Sequence, residues 1–263
     1  MAEARRIPVL MYHRVGPREG RDDRHAVTPQ RFERHMAVLA TQGMHACKVD
    51  DFIGWLDGTC KLPAGSFLLT FDDGYQGIHT HAAAVLARYG WPATVFLVSG
   101  LIGGKDAWRG RDNPVARDYP LLNTDQIQQL AELDFTFHSH SRRHWDLTAL
   151  NDADLADEVA GSRAELSALL GGAPRYLAYP YGRFDARVDA AARAAGYSAA
   201  FSVQSGFNRP GQDRFSLRRL DVFGSDNPAM LLRKVRYGSN DGTLIQPIRY
   251  YLGRIAARLG LKQ

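Results

Sequence analysis

Residues 66–74 read SFLLTFDDG, and this stretch contains the signal from which the fold can be predicted. Its first six residues form an apolar run of the length expected for a buried strand, and Asp72, Asp73 and Gly74 form a polar turn directly after it. Comparable apolar runs lie on both sides, separated by segments with helical periodicity. This alternation favours parallel strands joined by helical crossovers, in either an open doubly wound α/β sheet or a barrel.

The neighbouring segments support this α/β pattern. An apolar run at 7–12 predicts the first strand, and Thr28 followed by Pro29 marks the start of the next helix. Further strands are predicted at 93–98, 135–139, 176–179 and 199–203, with helices at 78–89, 124–133, 152–170 and 185–195. A long irregular segment at 101–123 interrupts the pattern. Loops of that length in compact domains are usually functional, so we expect this one to form a wall or lid of the site.

The composition is that of a globular protein. The chain has 263 residues, 45% of them hydrophobic, which suits a single α/β domain with a sizeable core. Two cysteines, Cys47 and Cys60, give neither a disulfide framework nor the spacing of metal ligands. The apolar run near the N-terminus is too short for a signal peptide or a membrane span, and no later run is long enough to span a membrane. We therefore expect a soluble, cytoplasmic protein.

Positive charge is concentrated at the C-terminal end. The net charge is +5, but residues 231–263 contain seven Lys or Arg and one Asp, so the rest of the chain is close to neutral. This distribution does not favour nucleic-acid binding. We expect a catalytic domain at 1–230 and a basic, helical extension at 231–263. That helix could dock on the domain, or it could make peripheral contact with an anionic membrane surface.

Three polar clusters follow predicted strands, where α/β proteins place their sites. The first is Asp72-Asp73, in which one carboxylate can bind a metal while the other acts as a base, although Asp-Asp-Gly is also a common turn. The second is the pair His140 and His144, whose spacing suits two ligands of one ion on a helical turn, or two surface histidines. The third, at residues 179–182, reads YPYG and could aim a backbone N–H at an oxyanion.

Together and in this order, the three clusters resemble the polysaccharide deacetylase family, the NodB-homology or carbohydrate esterase 4 group. The resemblance extends from Ile7 to Val222, most of the chain. It implies a deformed (β/α) barrel with about seven parallel strands. It also implies one divalent ion held by Asp73, His140 and His144, a ligand set that suits Zn²⁺ and also Co²⁺, Ni²⁺ or Fe²⁺.

The resemblance assigns further roles. Asp72 matches the general base, and the backbone N–H of Tyr181 matches a group that helps to hold the oxyanion. The usual late histidine is missing, because no histidine follows His144. Residues 12–15 instead read YHRV at the end of the first strand, as in a permuted subgroup that deacetylates poly-N-acetylglucosamine, so we expect His13 to be the general acid.

Two points concern the surroundings of these residues. The family pattern commonly has an arginine that orients the base where this chain has Ala178, and Arg218 or Arg219 is a candidate replacement. We expect a carbohydrate substrate that contacts the side chains of three residues, Tyr75, Trp108 and Pro180.

The sequence therefore predicts an N-deacetylase of a GlcNAc-type polysaccharide or oligosaccharide in exopolysaccharide metabolism. A deacylase of a lipid-linked or nucleotide-linked sugar is an alternative of the same class. A catalytically inactive barrel that binds glycans or partner proteins is an alternative of another class. The complete set of catalytic residue types argues against the inactive barrel.

Overall fold

The computed structural model describes residues 3–19, 23–106, 108 and 118–243, and its centre is a curled sheet of parallel strands. These strands are β1 (Val9–Tyr12), β4 (His45–Cys47), β5 (Ser66–Phe71), β6 (Ala93–Leu97), β7 (Phe135–Ser139), β8 (Tyr176–Ala178), β9 (Ala199–Phe201) and β10 (Leu220–Asp221). Seven of them follow the order β10-β1-β5-β6-β7-β8-β9, and β4 pairs with β5. All these pairings are parallel, so the sheet forms a curled half-barrel and the predicted deformed barrel of about seven strands is confirmed.

Helices connect the strands and cover the sheet. They are α1 (Pro29–Thr41), α2 (Val49–Leu56), α3 (Ala83–Tyr89), α4 (Thr124–Ala131), α5 (Asp152–Ala156), α6 (Ser162–Leu170), α7 (Ala186–Ala194) and α8 (Pro228–Tyr237). Every residue of β5 is buried, as expected for a parallel strand that is covered on both faces. A small parallel pair, β2 (Arg14–Val15) and β3 (Ala26–Val27), lies after the end of β1.

Two π-helical turns interrupt the predicted helices. One, Ile78–Ala82, precedes α3. The other, Asp157–Gly161, lies between α5 and α6, so the predicted helix at 152–170 contains a single-turn bulge. Such bulges are rare and occur frequently at functional sites, and Glu158 in the second one is fully buried.

The C-terminal part that is described belongs to the barrel. Helix α8 begins with a capping interaction in which Asn227 accepts a hydrogen bond from the Met230 amide. Its residues Leu231 and Val235 are buried in the same core cluster as Phe32 of α1. The predicted domain boundary at 230/231 therefore falls inside a packed helix. Residues 244–263 of the predicted basic extension 231–263 lie outside the described residues.

Within the part of the chain described here, no helix has the length and apolar character needed to cross a membrane.

Candidate active site and metal centre

Three strand ends bring the predicted site residues together. Asp72 and Asp73 follow β5, His140 follows β7, and His13 follows β1, the strand that pairs with β5. Because all these strands are parallel, their carboxyl ends lie at one end of the half-barrel. Asp72, Asp73, His13, His140 and His144 all line one cavity of about 420 Å³.

One donor atom from each of Asp73, His140 and His144 lies within 4.8 Å of the others. Oδ1 of Asp73 is 3.4 Å from Nε2 of His140 and 3.4 Å from Nε2 of His144. Donor atoms arranged tetrahedrally at about 2.1 Å from one zinc ion lie about 3.4 Å apart. The donor set of one carboxylate and two imidazoles therefore fits a single divalent ion in both chemistry and spacing.

The imidazole of His140 is oriented by the backbone. Its Nδ1–H donates a hydrogen bond of 2.8 Å to the carbonyl oxygen of Ala178, at the end of β8. This bond places the proton on Nδ1 and leaves the lone pair of Nε2 directed at the site, as in metal-binding histidines generally. The missing arginine side chain at Ala178 does not affect this contact, because the contact uses the backbone.

Burial keeps both histidines in the form that binds metals. Desolvation lowers the pKa of His140 from its usual value. The pKa of His144 is lowered further, by burial first and then by the charge of His140. Neutral imidazoles are the metal-binding form, so little proton release is needed when an ion binds near neutral pH.

The loop that contains the two histidines is not a helix, so the helical-turn geometry that the sequence suggested is wrong. Ser141 and His144 have left-handed backbone angles, with φ of 64° and 60°. Asp73 and Tyr181 are also left-handed, with φ of 71° and 57°. Four of the five non-glycine residues with positive φ in the described chain therefore lie at this site. Backbone strain of this kind is typical of functional sites, where the surroundings must hold it.

Asp72 is held by a buried arginine. Nη1 of Arg219 donates to Oδ1 of Asp72 at 2.6 Å, and both side chains are almost inaccessible to solvent. The other oxygen, Oδ2, lies 3.9 Å from Nε2 of His140, on the side of the candidate metal centre. Burial alone would raise the pKa of Asp72, but the charges of Arg219, His140 and His13 lower it to about 2. Asp72 is therefore ionised at neutral pH.

Of the two candidate arginines, only Arg219 contacts Asp72 in the structure. Nε of Arg219 donates to the carbonyl oxygen of Ser202, which fixes the guanidinium group across the barrel interior. Arg218 instead donates to the carbonyl oxygen of Ser205 at the surface. Successive residues of an extended chain point to opposite sides, and this explains the different contacts of Arg218 and Arg219.

His13 faces the same cavity next to a second histidine, His25. The rings of His13 and His25 are 4.4 Å apart, and His25 also packs against Phe223. Burial, and then the charge of His25, lowers the pKa of His13 well below its usual value. The β2–β3 pairing explains the contact, because it brings residue 25 beside the end of β1. No signal in the sequence indicated this pairing.

The aromatic residues predicted to bind substrate have different positions. Trp108 lines the cavity and stacks on His144, with ring centroids 4.6 Å apart. Tyr181 also lines it, with its ring centroid 4.7 Å from that of His144 in an edge-to-face arrangement. Tyr75 lies outside it, buried, with its hydroxyl donating to Asp106. Pro180 is buried beneath the turn and is likewise absent from the cavity wall.

A second cavity of about 560 Å³ adjoins the first. The two share Trp108, His144, Tyr181 and Arg183 as wall residues. The far side of the second cavity consists of Trp145, Asp146, Ala149 and Leu150. Together the two cavities form a groove that passes the candidate metal centre. The rest of the segment 101–123 that was predicted as a wall or lid includes residues 107 and 109–117, which lie outside the described residues.

The chain is similar to several known proteins. The chain is 27% identical over 217 residues to YxkH of Bacillus subtilis (strain 168), which covers 82% of this chain and 71% of that protein. It is also 26% identical to a poly-beta-1,6-N-acetyl-D-glucosamine N-deacetylase of Staphylococcus epidermidis. That match extends over 239 residues and covers 81% of this chain and 78% of the relative. The solved structure of IcaB from Ammonifex degensii is similar with a TM-score of 0.75 and 27% identity, over 90% of this chain and 98% of that one.

The family model described as polysaccharide deacetylase matches residues 60–200, more than half of the chain. The matched region contains Asp72, Asp73, His140 and His144, and it ends beyond the turn at Tyr181. The chain therefore belongs to the polysaccharide deacetylase family and is a carbohydrate deacetylase.

Proposed function

We propose that this protein is a metal-dependent hydrolase that removes N-acetyl groups from a poly-N-acetylglucosamine-type polysaccharide during exopolysaccharide metabolism. The observation that carries the proposal is the arrangement of Asp73, His140 and His144 around one point, with Asp72 and His13 in the same cavity. The named activity of the Staphylococcus epidermidis relative supports the choice of sugar.

The proposed metal ligands are Asp73, His140 and His144. Zn²⁺ fits their chemistry, and Co²⁺, Ni²⁺ or Fe²⁺ would use the same donors. A divalent ion bound there would polarise the acyl oxygen and make a water molecule easier to deprotonate. The remaining steps depend on side chains and backbone groups of this chain.

Asp72 is the proposed general base. With Oδ1 held by Arg219, Oδ2 takes a proton from the water that attacks the acyl carbon. The backbone N–H of Tyr181 donates to the oxygen on which negative charge develops. His13 gives a proton to the nitrogen as the C–N bond breaks, so the products are acetate and a free amino sugar.

The groove favours a polymer or oligosaccharide over a single small sugar. The first cavity, about 420 Å³, contains the candidate catalytic groups, and the second, about 560 Å³, extends past Trp145 and Leu150. We propose that the second cavity binds the sugar next to the one that is deacetylated. Aromatic faces at its wall complement the apolar face of a pyranose ring. We also propose Trp108 as a direct substrate contact, whereas Tyr75 and Pro180 would act only by supporting the wall.

The organisation of the C-terminal end stays a prediction. A basic helix within residues 245–263 that contacts an anionic membrane surface would bring the enzyme to a glycan at that surface. Deleting residues 245–263 and measuring co-sedimentation with anionic liposomes tests it. Loss of binding supports membrane contact, and unchanged binding rules it out.

The proposed activity can be tested by measuring acetate release from β-1,6-linked N-acetylglucosamine pentamers. We expect release by the protein loaded with Zn²⁺ or Co²⁺, loss of release after chelation, and recovery when metal is added back. The same assay with a nucleotide-linked N-acetyl sugar and a lipid-linked one tests the alternative substrates. Release from either of these small substrates, but not from the pentamer, would contradict the polymer assignment.

A further inference from the structure

The loop that contains both histidine ligands is held by a buried glutamate from a distant part of the chain. Glu158 lies in the π-helical turn Asp157–Gly161 and is completely buried. Its Oε2 accepts hydrogen bonds from the backbone amides of Arg142, at 3.1 Å, and Arg143, at 2.8 Å. Its Oε1 accepts from the Arg143 guanidinium group at 3.0 Å. The carboxylate therefore occupies a concavity of consecutive backbone N–H groups, a usual anion-binding arrangement.

The opposite side of the loop is held as well. The amides of Ser99 and Gly100 donate to the carbonyl oxygens of Ser141, at 3.2 Å, and Arg142, at 2.9 Å. A Cβ atom on Gly100 would lie 2.8 Å from the Arg142 carbonyl oxygen, so the two chains are in close contact there. The loop backbone is therefore held on two sides, through the amides of Arg142 and Arg143 and through the carbonyl oxygens of Ser141 and Arg142.

The loop needs this support because its backbone is strained. Ser141 and His144 both have left-handed angles, which are unfavourable for residues other than glycine. Without outside contacts, the segment would relax towards other conformations, and His144 would turn away from Asp73. The two amides that Glu158 accepts from lie between these two strained residues.

We propose that Glu158 is a positioning residue of the metal centre, which holds the 140–144 loop so that Nε2 of His144 stays beside Asp73. This inference rests on the proposed metal site. Glu158 does not touch the proposed ligands and acts through the backbone of Arg142 and Arg143. Its burial is explained by this role, since a buried carboxylate is stable only when its oxygens are well paired.

Asp157 provides a matched control. It is adjacent to Glu158 and contacts the same two arginines, with bonds to Nη1 of Arg142 and Nη2 of Arg143, each at 2.7 Å. These contacts join side chains, and the pairs are partly exposed. Asp157→Asn therefore removes a negative charge beside the same two arginines and leaves the contacts of the Glu158 carboxylate with the loop backbone intact.

The experiment measures Zn²⁺ affinity by competition with a chromophoric chelator, for the parent, Glu158→Gln, Glu158→Ala and Asp157→Asn. Loss of groups that orient metal ligands typically weakens metal binding by about 10- to 100-fold. We expect a loss of this size for Glu158→Ala, a smaller loss for Glu158→Gln, which keeps one acceptor oxygen, and less than about fivefold for Asp157→Asn. The visible absorption spectrum of bound Co²⁺ should change for the Glu158 variants only.

Folding is checked on the metal-free proteins by circular dichroism. If Glu158→Ala does not fold, the Zn²⁺ affinity of Glu158→Gln tests the positioning role. Affinity within about threefold of the parent for a folded Glu158 variant would overturn the inference, as would an equal loss for Asp157→Asn. If the parent itself binds no Zn²⁺, the proposed function fails. If the parent binds one Zn²⁺ ion and the Glu158 variants bind it equally well, only the positioning role fails.

Discussion

Arg219 and Asp72 form a buried ion pair, with Nη1 of the arginine 2.6 Å from Oδ1 of the carboxylate. They lie 147 positions apart in the chain, and both side chains are almost completely inaccessible. The pair has two effects on the proposed base: it holds Asp72 in one orientation, and it counteracts the rise in pKa that burial would otherwise cause.

Changing Arg219 should therefore affect the base. In Arg219→Lys the charge remains but the planar contact is lost, so the Asp72 carboxylate is less well oriented and its pKa rises. We expect kcat/KM at neutral pH to fall on the order of 10- to 100-fold, with the acidic limb of the pH–rate profile at higher pH. Arg218→Lys, at the neighbouring surface position, is the control and should retain the parent profile. Equal profiles for the two variants would refute the role of Arg219.

Protein stability should depend on pH through His35. Its Nδ1 lies 3.0 Å from the Tyr12 hydroxyl, its Nε2 lies 2.8 Å from the Asp226 carbonyl oxygen, and burial lowers its pKa to about 4. The unfolded chain, with a pKa of about 6.5, binds this proton more readily. The contribution of neutral His35 to the unfolding free energy is complete above pH 6.5. It is lost as the pH falls towards 4, by roughly 3 kcal/mol in total.

Urea unfolding of the metal-free protein at pH 7 and pH 5 measures this effect. The unfolding free energy of the parent should be lower at pH 5 than at pH 7, and the difference should be smaller for His35→Gln. His79→Gln, which alters a histidine that contacts Gln129 at the surface, should behave as the parent does. A His35→Gln variant with the same pH dependence as the parent would contradict this prediction.

Gly77 should not tolerate a side chain. A Cβ atom on Gly77 would lie 1.9 Å from the backbone oxygen of Val15, in the strand that follows His13. Gly77→Ala should displace this strand, destabilise the protein by roughly 2–4 kcal/mol and reduce activity through His13. Gly172→Ala, where the new Cβ meets nothing within 4 Å, should be nearly neutral. Thermal unfolding and acetate release measure both effects, and similar behaviour of the two variants would refute the prediction.

The second cavity should determine chain-length preference. Trp145 lines this cavity but not the one that contains Asp72 and His13, and its ring is close to the guanidinium group of Arg143. Trp145→Ala should raise KM for a pentamer on the order of tenfold, equivalent to about 1.4 kcal/mol, with kcat little changed. Trp145→Phe should recover part of the loss. If KM for a monomeric N-acetyl sugar rises by the same factor, the cavity does not bind a second sugar.

The sequence predicted the parts of the site that depend on strand ends. Asp72, Asp73 and His140 directly follow predicted strands, and parallel strands place such residues at one end of the sheet. His144 was also predicted, although the loop reaches the site through left-handed angles at Ser141 and His144 and not through a helix. A spacing of four residues allows both geometries, so the pattern alone could not distinguish them.

Contacts between distant residues were less predictable. Arg218 and Arg219 were equal candidates until the direction of each side chain was known. Glu158 and His25 gave no signal, because a helical glutamate and an isolated histidine are common surface features. Tyr75 and Pro180 were predicted to contact the substrate, and the structure places both outside the cavity wall.

The most direct test of the account uses Asp72→Asn, with bound metal and acetate release measured on the same sample. Because Asp72 is proposed to act as the base and Asp73 as the ligand, this variant should bind one divalent ion as the parent does. Its acetate release should fall by about 10²- to 10⁴-fold. His140→Ala should lose both. An Asp72→Asn protein that binds metal and retains activity close to that of the parent would contradict the central claim.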